Sequence, residues 1–151
     1  MQILNKMPEW IRSRIDPVES FFRIVFGGFF CMSGAIKMSD LLAFESAIRN
    51  YRLLGDPFIA WLAMSIPPLE LIAGMAVILR VFYPGCVIVL CGDLSIFMCA
   101  LISLLARGID TECGCLGIST TIQVQLALDF GLAAFGGFLL WSWRKTDVDF
   151  A

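Results

Sequence analysis

Four long apolar segments separated by polar stretches dominate the hydrophobic pattern of the chain. Each holds about twenty residues, which as an α-helix rising roughly 1.5 Å per residue is enough to cross the hydrocarbon core of a bilayer. The segments cover residues 20–38, 58–79, a stretch that follows the turn at 83–85 and ends near Ala106, and 122–143. The pattern therefore predicts an all-α fold, an integral membrane four-helix bundle.

The polar stretch between the first two spans, residues 39–56, has a helical pattern of its own. Apolar side chains recur at three- and four-residue intervals and charged side chains fill the other face. The apolar positions are Leu41, Phe44, Ile48 and Tyr51, and the charged ones are Glu45, Arg49 and Arg52. We expect an extra amphipathic helix at the membrane interface between the first and second spans.

Small and helix-breaking residues within the spans predict how the bundle packs. The first span carries small residues that let helix backbones approach closely in lipid, namely Gly27, Gly28, Ser33 and Gly34. Pro67 and Pro68 lie in the middle of the second span, where they should kink the helix and free backbone carbonyls inside the bundle. Irregular backbone at that depth is typical of a helix that lines a cavity.

Composition supports one membrane domain. The chain has 151 residues, 59% of them hydrophobic and 16% charged, with a mean hydropathy of +0.84, and no linker divides it. We assign 1–19 as a cytoplasmic arm, 20–143 as the membrane domain and 144–151 as a cytoplasmic tail. A net charge of -2 without a basic cluster argues against binding of nucleic acid.

The chain contains no histidine. Bis-histidine haem, the common copper and zinc sites and serine– or cysteine–histidine catalytic pairs each need an imidazole. We therefore expect neither a metal nor haem.

The distribution of lysine and arginine predicts the orientation. The side of both termini carries Lys6, Arg12, Arg14, Arg23, Arg80, Arg144 and Lys145, whereas the other side carries Lys37, Arg49, Arg52 and Arg107. Because basic residues favour the cytoplasmic side, both termini should be cytoplasmic. In a bacterium this describes a multi-pass protein of the inner membrane, with residues 107–121 in the disulfide-permissive periplasm.

That external loop carries the candidate redox chemistry, in the sequence RGIDTECGCLG. Cys113 and Cys115 flank Gly114, and two thiols at this spacing can close into a small, strained disulfide that exchanges easily. Two thiolates without histidine fall short of a closed tetrahedral metal site. An inert pair, or a bridge to another chain, remains an alternative to redox exchange.

Four further cysteines lie inside the spans, where packing is the ordinary role of the thiol. Cys31 and Cys99 lie at similar depths, roughly 10 to 12 Å from the outer ends of their helices, so a second redox pair is conceivable there. Cys86 and Cys91 are interpreted as packing residues.

Charged residues within spans are costly in lipid and should face the bundle interior. The acidic ones are Glu70, Asp93 and Asp129, and the basic ones nearer the helix ends are Arg23 and Lys37. Glu70 and Asp93 both fall near mid-membrane, where they could pass protons. An ion pair that only holds the bundle together is the alternative, and the two interpretations stay open.

The order of certain residues resembles the MauE branch of the DoxX-like membrane proteins, over nearly the whole chain past residue 20. The residues are Arg23, Gly28, Phe30, Ser33-Gly34, Lys37, Asn50-Tyr51, Pro68-Leu69-Glu70, Gly74, Arg107-Gly108, Cys113-x-Cys115-x-Gly117 and Asp129. Leu116 departs from the Cys-x-Cys-Phe-Gly usual in that branch. The resemblance implies a redox-associated membrane protein of four helices.

MauE is associated with maturation of a disulfide-rich periplasmic subunit near a thioredoxin-like protein, and DoxX relatives with thiosulfate:quinone oxidoreduction. The resemblance therefore implies a membrane thiol:disulfide redox or maturation factor with Cys113 and Cys115 as exchanging thiols, Glu70 and Asp93 as proton-handling groups, and a periplasmic thioredoxin-like or client protein as partner. Quinone is the implied cofactor, with Arg23, Lys37 and Asp129 as candidate contacts. A non-catalytic accessory subunit of a larger membrane complex is the main alternative, and a small-solute permease is a weaker one.

Overall fold

The computed structural model describes residues 17–108 and 122–148, and over these ranges every regular element is an α-helix. The helices are α1 (Pro17–Ser39), α2 (Leu41–Asn50), α3 (Asp56–Leu79), α4 (Tyr83–Ala106) and α5 (Ile122–Val148). Four of them, α1, α3, α4 and α5 as far as Trp143, are long and apolar enough to cross a membrane. The predicted all-α membrane bundle with a short extra helix is confirmed.

The turn between α3 and α4 lies a few residues earlier than predicted. Tyr83 and Pro84 form the first turn of α4, where proline fits because the missing N–H would have no partner there anyway. The chain reverses instead at Arg80 and Phe82, both in the left-handed region with φ of 60° and 47°. The expected turn at 83–85 was therefore wrong in position.

Helix α2 is amphipathic, and its apolar face packs on protein. Asp40 caps its N-terminus by accepting a hydrogen bond from the Ala43 N–H at 2.9 Å. Phe44 and Ile48 are buried in one cluster with Ile59 and Ala63 of α3. Leu41, expected on the apolar face, is instead exposed. The predicted helix is confirmed, and its position relative to the membrane remains a prediction.

Helices α1 and α3 pack backbone against backbone. A methyl group on Gly27 would lie 2.7 Å from the Gly74 carbonyl oxygen, and one on Gly34 would lie 2.7 Å from that of Pro67. Gly28 faces open space. Of the predicted small-residue face, Gly27, Ser33 and Gly34 are buried, whereas Gly28 lies outside it.

Helix α3 runs continuously through Pro67 and Pro68. Because neither proline has an N–H, the carbonyls of Ala63 and Met64 lose their donors within the helix. The expected release of backbone carbonyls follows from this, and the kink stays a prediction.

The main core lies between α1, α3, α4 and α5. Phe26, Val77, Leu90 and Leu139 are fully buried, one from each of these helices. Outside this core, large apolar side chains such as Trp61, Met64 and Ile96 are 68–75% exposed. Such a surface is what lipid contact requires, and Trp141 adds an exposed indole toward the end of the last span.

Candidate functional site

A buried ion pair joins α1 to α3 in the interior of the bundle. The Lys37 ammonium donates to Glu70 Oε1 at 2.5 Å, and the two side chains are 5% and 2% exposed. Ser33 lies one turn before Lys37 on the same face of α1 and donates to Glu70 Oε2 at 3.2 Å. Both carboxylate oxygens of Glu70 are therefore engaged.

Two aromatic rings enclose the same ammonium group. Lys37 Nζ lies 5.1 Å from the centre of the Phe44 ring and 4.7 Å from that of the Phe97 ring. Both distances suit cation–π attraction, which is strongest where water is excluded. Helix α2, which carries Phe44, therefore contributes to the environment of the ion pair.

Asp93 of α4 and two residues of α5 extend the cluster. The carboxyl group of Asp93 lies beside that of Glu70, and its Oδ2 is buried without a hydrogen-bond partner among the described residues. On α5, Gln125 Nε2 donates to Asp129 Oδ1 at 3.0 Å, one helical turn away. Gln125 and Asp129 are 5% and 3% exposed.

These side chains line one cavity of about 30 Å³ between the four long helices. Its polar lining is Ser33, Lys37, Glu70, Asp93, Gln125 and Asp129, and its apolar lining is Phe29, Phe30, Leu94, Phe97 and Leu101. A water molecule needs roughly 10 to 15 Å³ measured in the same way, so the cavity holds about two. The lining is mixed, partly polar or charged and partly apolar.

The charges that line this cavity do not balance. Within the described part of the chain, one ammonium, that of Lys37, faces the carboxyl groups of Glu70, Asp93 and Asp129. Burial of an uncompensated carboxylate costs several kcal/mol. The arrangement therefore suits groups that bind and release protons, because protonation removes the excess negative charge.

The structure brings together four of the seven site residues chosen from sequence. Glu70, Asp93, Lys37 and Asp129 all line the cavity. Arg23 lies elsewhere, fourteen residues before Lys37 and thus roughly 21 Å away along α1. Cys113 and Cys115 lie outside the described residues.

Arg23 belongs to a second polar group at the opposite end of the bundle. There Arg80 donates to Glu19 at 3.1 Å, which links the end of α3 to the start of α1. Arg23 is close to both of these residues and to Tyr83. The expected grouping of Arg23 with Lys37 and Asp129 at one cofactor site is not seen.

The cysteines within the spans are free thiols. Cys31 Sγ faces α3 and lies 3.6 Å from the Leu71 carbonyl oxygen, whereas Cys99 is exposed on α4. Cys91 Sγ contacts the surface of Gly136, and Cys86 lies against the main core. Cys31, Cys86 and Cys91 are partly buried packing residues, whereas Cys99 is exposed and is not paired with Cys31.

Two cavity residues had not been recognised as functional from sequence. Ser33 had been interpreted only as a small packing residue, although its place four residues before Lys37 puts it on the same helix face. Gln125 was not among the predicted site residues. It is a polar residue four positions before Asp129 in an apolar span, and this spacing also places it on the same helix face as the charged residue. Spacing could have identified both residues.

The cavity does not fit the quinone expected from the resemblance. A quinone ring with its two oxygens has eight heavy atoms, far more than a space for about two water molecules can hold. A quinone ring therefore does not fit inside the cavity that Lys37 and Asp129 line. Over the described ranges, no three His, Cys, Asp or Glu side chains are grouped so as to bind a metal ion.

The fold and the site together define a class: a multi-pass membrane helix bundle built around a buried, charged cluster. Within that class, the family model for methylamine utilisation protein MauE matches residues 15–142, and the chain belongs to this family. No curated protein and no solved structure gives a significant match.

Proposed function

We propose that the protein is a membrane thiol:disulfide redox or maturation factor of the bacterial inner membrane, with both termini in the cytoplasm. In this proposal Cys113 and Cys115 exchange disulfides with a periplasmic thioredoxin-like or client protein. Membership of the MauE family supports a role in methylamine utilisation, where the client would be a disulfide-containing protein of that system.

The observation that carries the proposal is the buried cluster of three carboxyl groups around Lys37. Oxidation of a client dithiol by the Cys113–Cys115 disulfide forms one S–S bond in the client and breaks the one in the loop. Reoxidation of the loop thiols then releases two electrons and two protons. A membrane protein that performs this step needs groups that accept protons, and Glu70, Asp93 and Asp129 have that chemistry.

The position of the thiols along the chain supports this coupling. Cys115 precedes the start of α5 by seven residues, and Asp129 follows that start by seven residues, or roughly 10 Å of helix. The same helix thus connects the thiol loop to the acidic cluster. A proton that enters at the start of α5 would travel roughly 10 Å along this helix to reach Asp129.

Quinone remains our proposal for the electron acceptor. Because the cavity does not fit a quinone ring, Lys37 and Asp129 are assigned to proton handling and not to quinone contact. A lipid-soluble acceptor would instead approach the loop thiols from the bilayer. Thiol trapping of the purified protein in lipid, with and without a quinone, tests this part separately: the loop cysteines should become oxidised only when quinone is present.

Single Cys113→Ser and Cys115→Ser variants test the exchange reaction itself. Each should stop client oxidation, and one should accumulate a mixed disulfide with its partner because no resolving thiol remains. Cys86→Ser is the matched control, since Cys86 is a partly buried thiol whose nearest polar contact is the Val81 carbonyl oxygen at 3.7 Å. Mass spectrometry of the client thiols gives the readout. If client thiols are oxidised normally when both Cys113 and Cys115 are replaced by serine, the redox proposal is wrong. The protein would then be a non-catalytic accessory subunit.

A further inference from the structure

Two residues that line the cavity each carry a buried acceptor atom without a hydrogen-bond donor among the described residues. These are Asp93 Oδ2 on α4 and Gln125 Oε1 on α5, and neither atom has a partner in the described part of the chain. A buried acceptor without a donor costs roughly 1 to 3 kcal/mol. Two such atoms at one cavity indicate that a small hydrogen-bond donor belongs there.

The orientation of the Gln125 amide is fixed by its neighbour. Its Nε2 donates to Asp129 Oδ1 at 3.0 Å, so the opposite atom, Oε1, must be the acceptor. A flipped amide would place two oxygens against each other. Because Gln125 is 95% buried, this acceptor must find its donor inside the bundle.

The charges around Asp93 point to the identity of the donor. On α1 and α3, Lys37 is already paired with Glu70, and on α5 the facing ionisable group is Asp129. Within residues 17–108 and 122–148, Asp93 and Asp129 therefore lack a cation of their own. A proton supplies the missing positive charge, and water fits the available volume of about 30 Å³.

We propose that the cavity is a hydrated proton-transfer site in which water connects Asp93 to Asp129, with Gln125 as the positioning residue. A proton leaves the Asp129 carboxyl group for a first water molecule, that water passes another proton to a second, and the second water protonates Asp93. One O–H bond breaks and one forms at each step, so both waters are regenerated. Gln125 Oε1 accepts a hydrogen bond from one of these waters and holds it between the two carboxyl groups.

The transfer carries the proton from the loop end of the bundle toward its middle. Asp93 lies thirteen residues from the end of α4, or roughly 20 Å, whereas Asp129 lies roughly 10 Å from the start of α5. Under the proposed function, oxidation of the loop thiols supplies the protons that this site transfers. The existence of the site does not depend on it.

Infrared spectroscopy of the purified wild-type chain in lipid tests the site without any substitution. At neutral pH the protein should show the carbonyl band of a protonated carboxyl group. After transfer to D₂O this band should shift rapidly, because water in the cavity exchanges its protons. A missing band, or a band that resists exchange as a dry carboxylic acid would, overturns the proposal.

Two matched variants on α5 test the role of Gln125. Gln125→Leu removes the acceptor and should slow the D₂O exchange roughly tenfold, the effect of about one lost hydrogen bond. Gln123→Leu makes the same change two residues away at an exposed position and should leave the exchange rate unchanged. Equal exchange rates in both variants would contradict a positioning role for Gln125.

Substitution of the carboxyl groups tests their connection. Asp129→Asn should change the pH midpoint of the Asp93 band, and this change should disappear in the Gln125→Leu background. If Asp129→Asn leaves the pH midpoint of the Asp93 band unchanged, the two groups do not share a proton. The infrared measurements use no thiol chemistry, so failure of the proton site and failure of the redox function are separable.

Discussion

At the scale of single residues, Lys37 and Glu70 have the most demanding environment in the bundle. Both are more than nine-tenths buried. Lys37 of α1 donates to Glu70 of α3, and Glu70 also accepts from Ser33 of α1. Such a pair adds little net stability relative to two apolar residues. Removal of one partner, however, destabilises the fold strongly, because the other charge is left buried and unpaired. This asymmetry makes the pair testable.

Lys37→Met should destabilise the protein by about 3 to 5 kcal/mol, because Glu70 is left buried without its cation. Chemical unfolding in detergent micelles measures the difference. Arg49→Met is the matched control, since Arg49 pairs with Glu45 and Asp56 at the protein surface and should change the stability little, because water screens the pair. A Lys37→Met protein as stable as the wild type would mean that Glu70 does not carry a charge.

Glu70→Gln should separate the architectural role of this residue from proton handling. The amide keeps the shape of the carboxyl group and can still accept from Lys37 or Ser33, but it can no longer be protonated readily. We expect a folded protein with lost thiol oxidation, measured by the rate at which client thiols disappear. A folded and fully active variant would favour the purely architectural ion pair.

The sequence predicted which charged residues face inward, because the cost of charge in lipid allows few alternatives. It did not predict which of them meet. Lys37 and Asp129 were expected to share a site with Arg23, but the distance along α1 separates Arg23 from both. The contact of Phe44 with Lys37 was also missed, since it depends on how α2 folds back onto the bundle.

At the scale of helices, the close packing of α1 on α3 depends on glycine. Close approach without side chains between two helices gives extensive van der Waals contact, which drives helix association in lipid. The contact runs from Gly27 beside Gly74 to Gly34 beside Pro67. It fixes the positions from which Ser33 and Lys37 reach Glu70.

Gly27→Ala should destabilise the fold by about 1 to 3 kcal/mol, because the new methyl group would meet the Gly74 carbonyl. Gly28→Ala places the same methyl group on the neighbouring residue, where nothing lies within 4 Å, and should be neutral or slightly stabilising. Unfolding of both variants in the same micelles provides the comparison. Equal losses would show that the contact does not limit stability.

The spans were predictable because an apolar run of about twenty residues has few other uses. The residues at which the spans begin and end were less predictable. Tyr83-Pro84-Gly85 has the composition of a turn, yet the residues begin α4, since proline is also favoured in the first turn of a helix. Local sequence alone did not distinguish these two uses of proline.

At the scale of the whole molecule, orientation in the membrane decides which solution the thiol loop meets. We expect a membrane-impermeant thiol reagent to label reduced Cys113 or Cys115 in intact cells, because the basic residues favour the side of the termini as cytoplasmic. Asp147→Cys in a variant lacking the loop cysteines is the control and should react only after lysis. The reverse pattern would place the loop in the cytoplasm and exclude periplasmic exchange.

The glycine contacts between α1 and α3 also restrict how the bundle can deform. Because the backbones of these two helices touch at the glycines, we expect the two helices to move together, whereas α4 and α5 pack against them through larger side chains. The cavity has Ser33, Lys37 and Glu70 on the first pair and Asp93, Gln125 and Asp129 on the second. We therefore expect a change of volume or charge inside the cavity to shift one helix pair relative to the other, and the loop that carries Cys113 and Cys115 joins the two helices of the second pair.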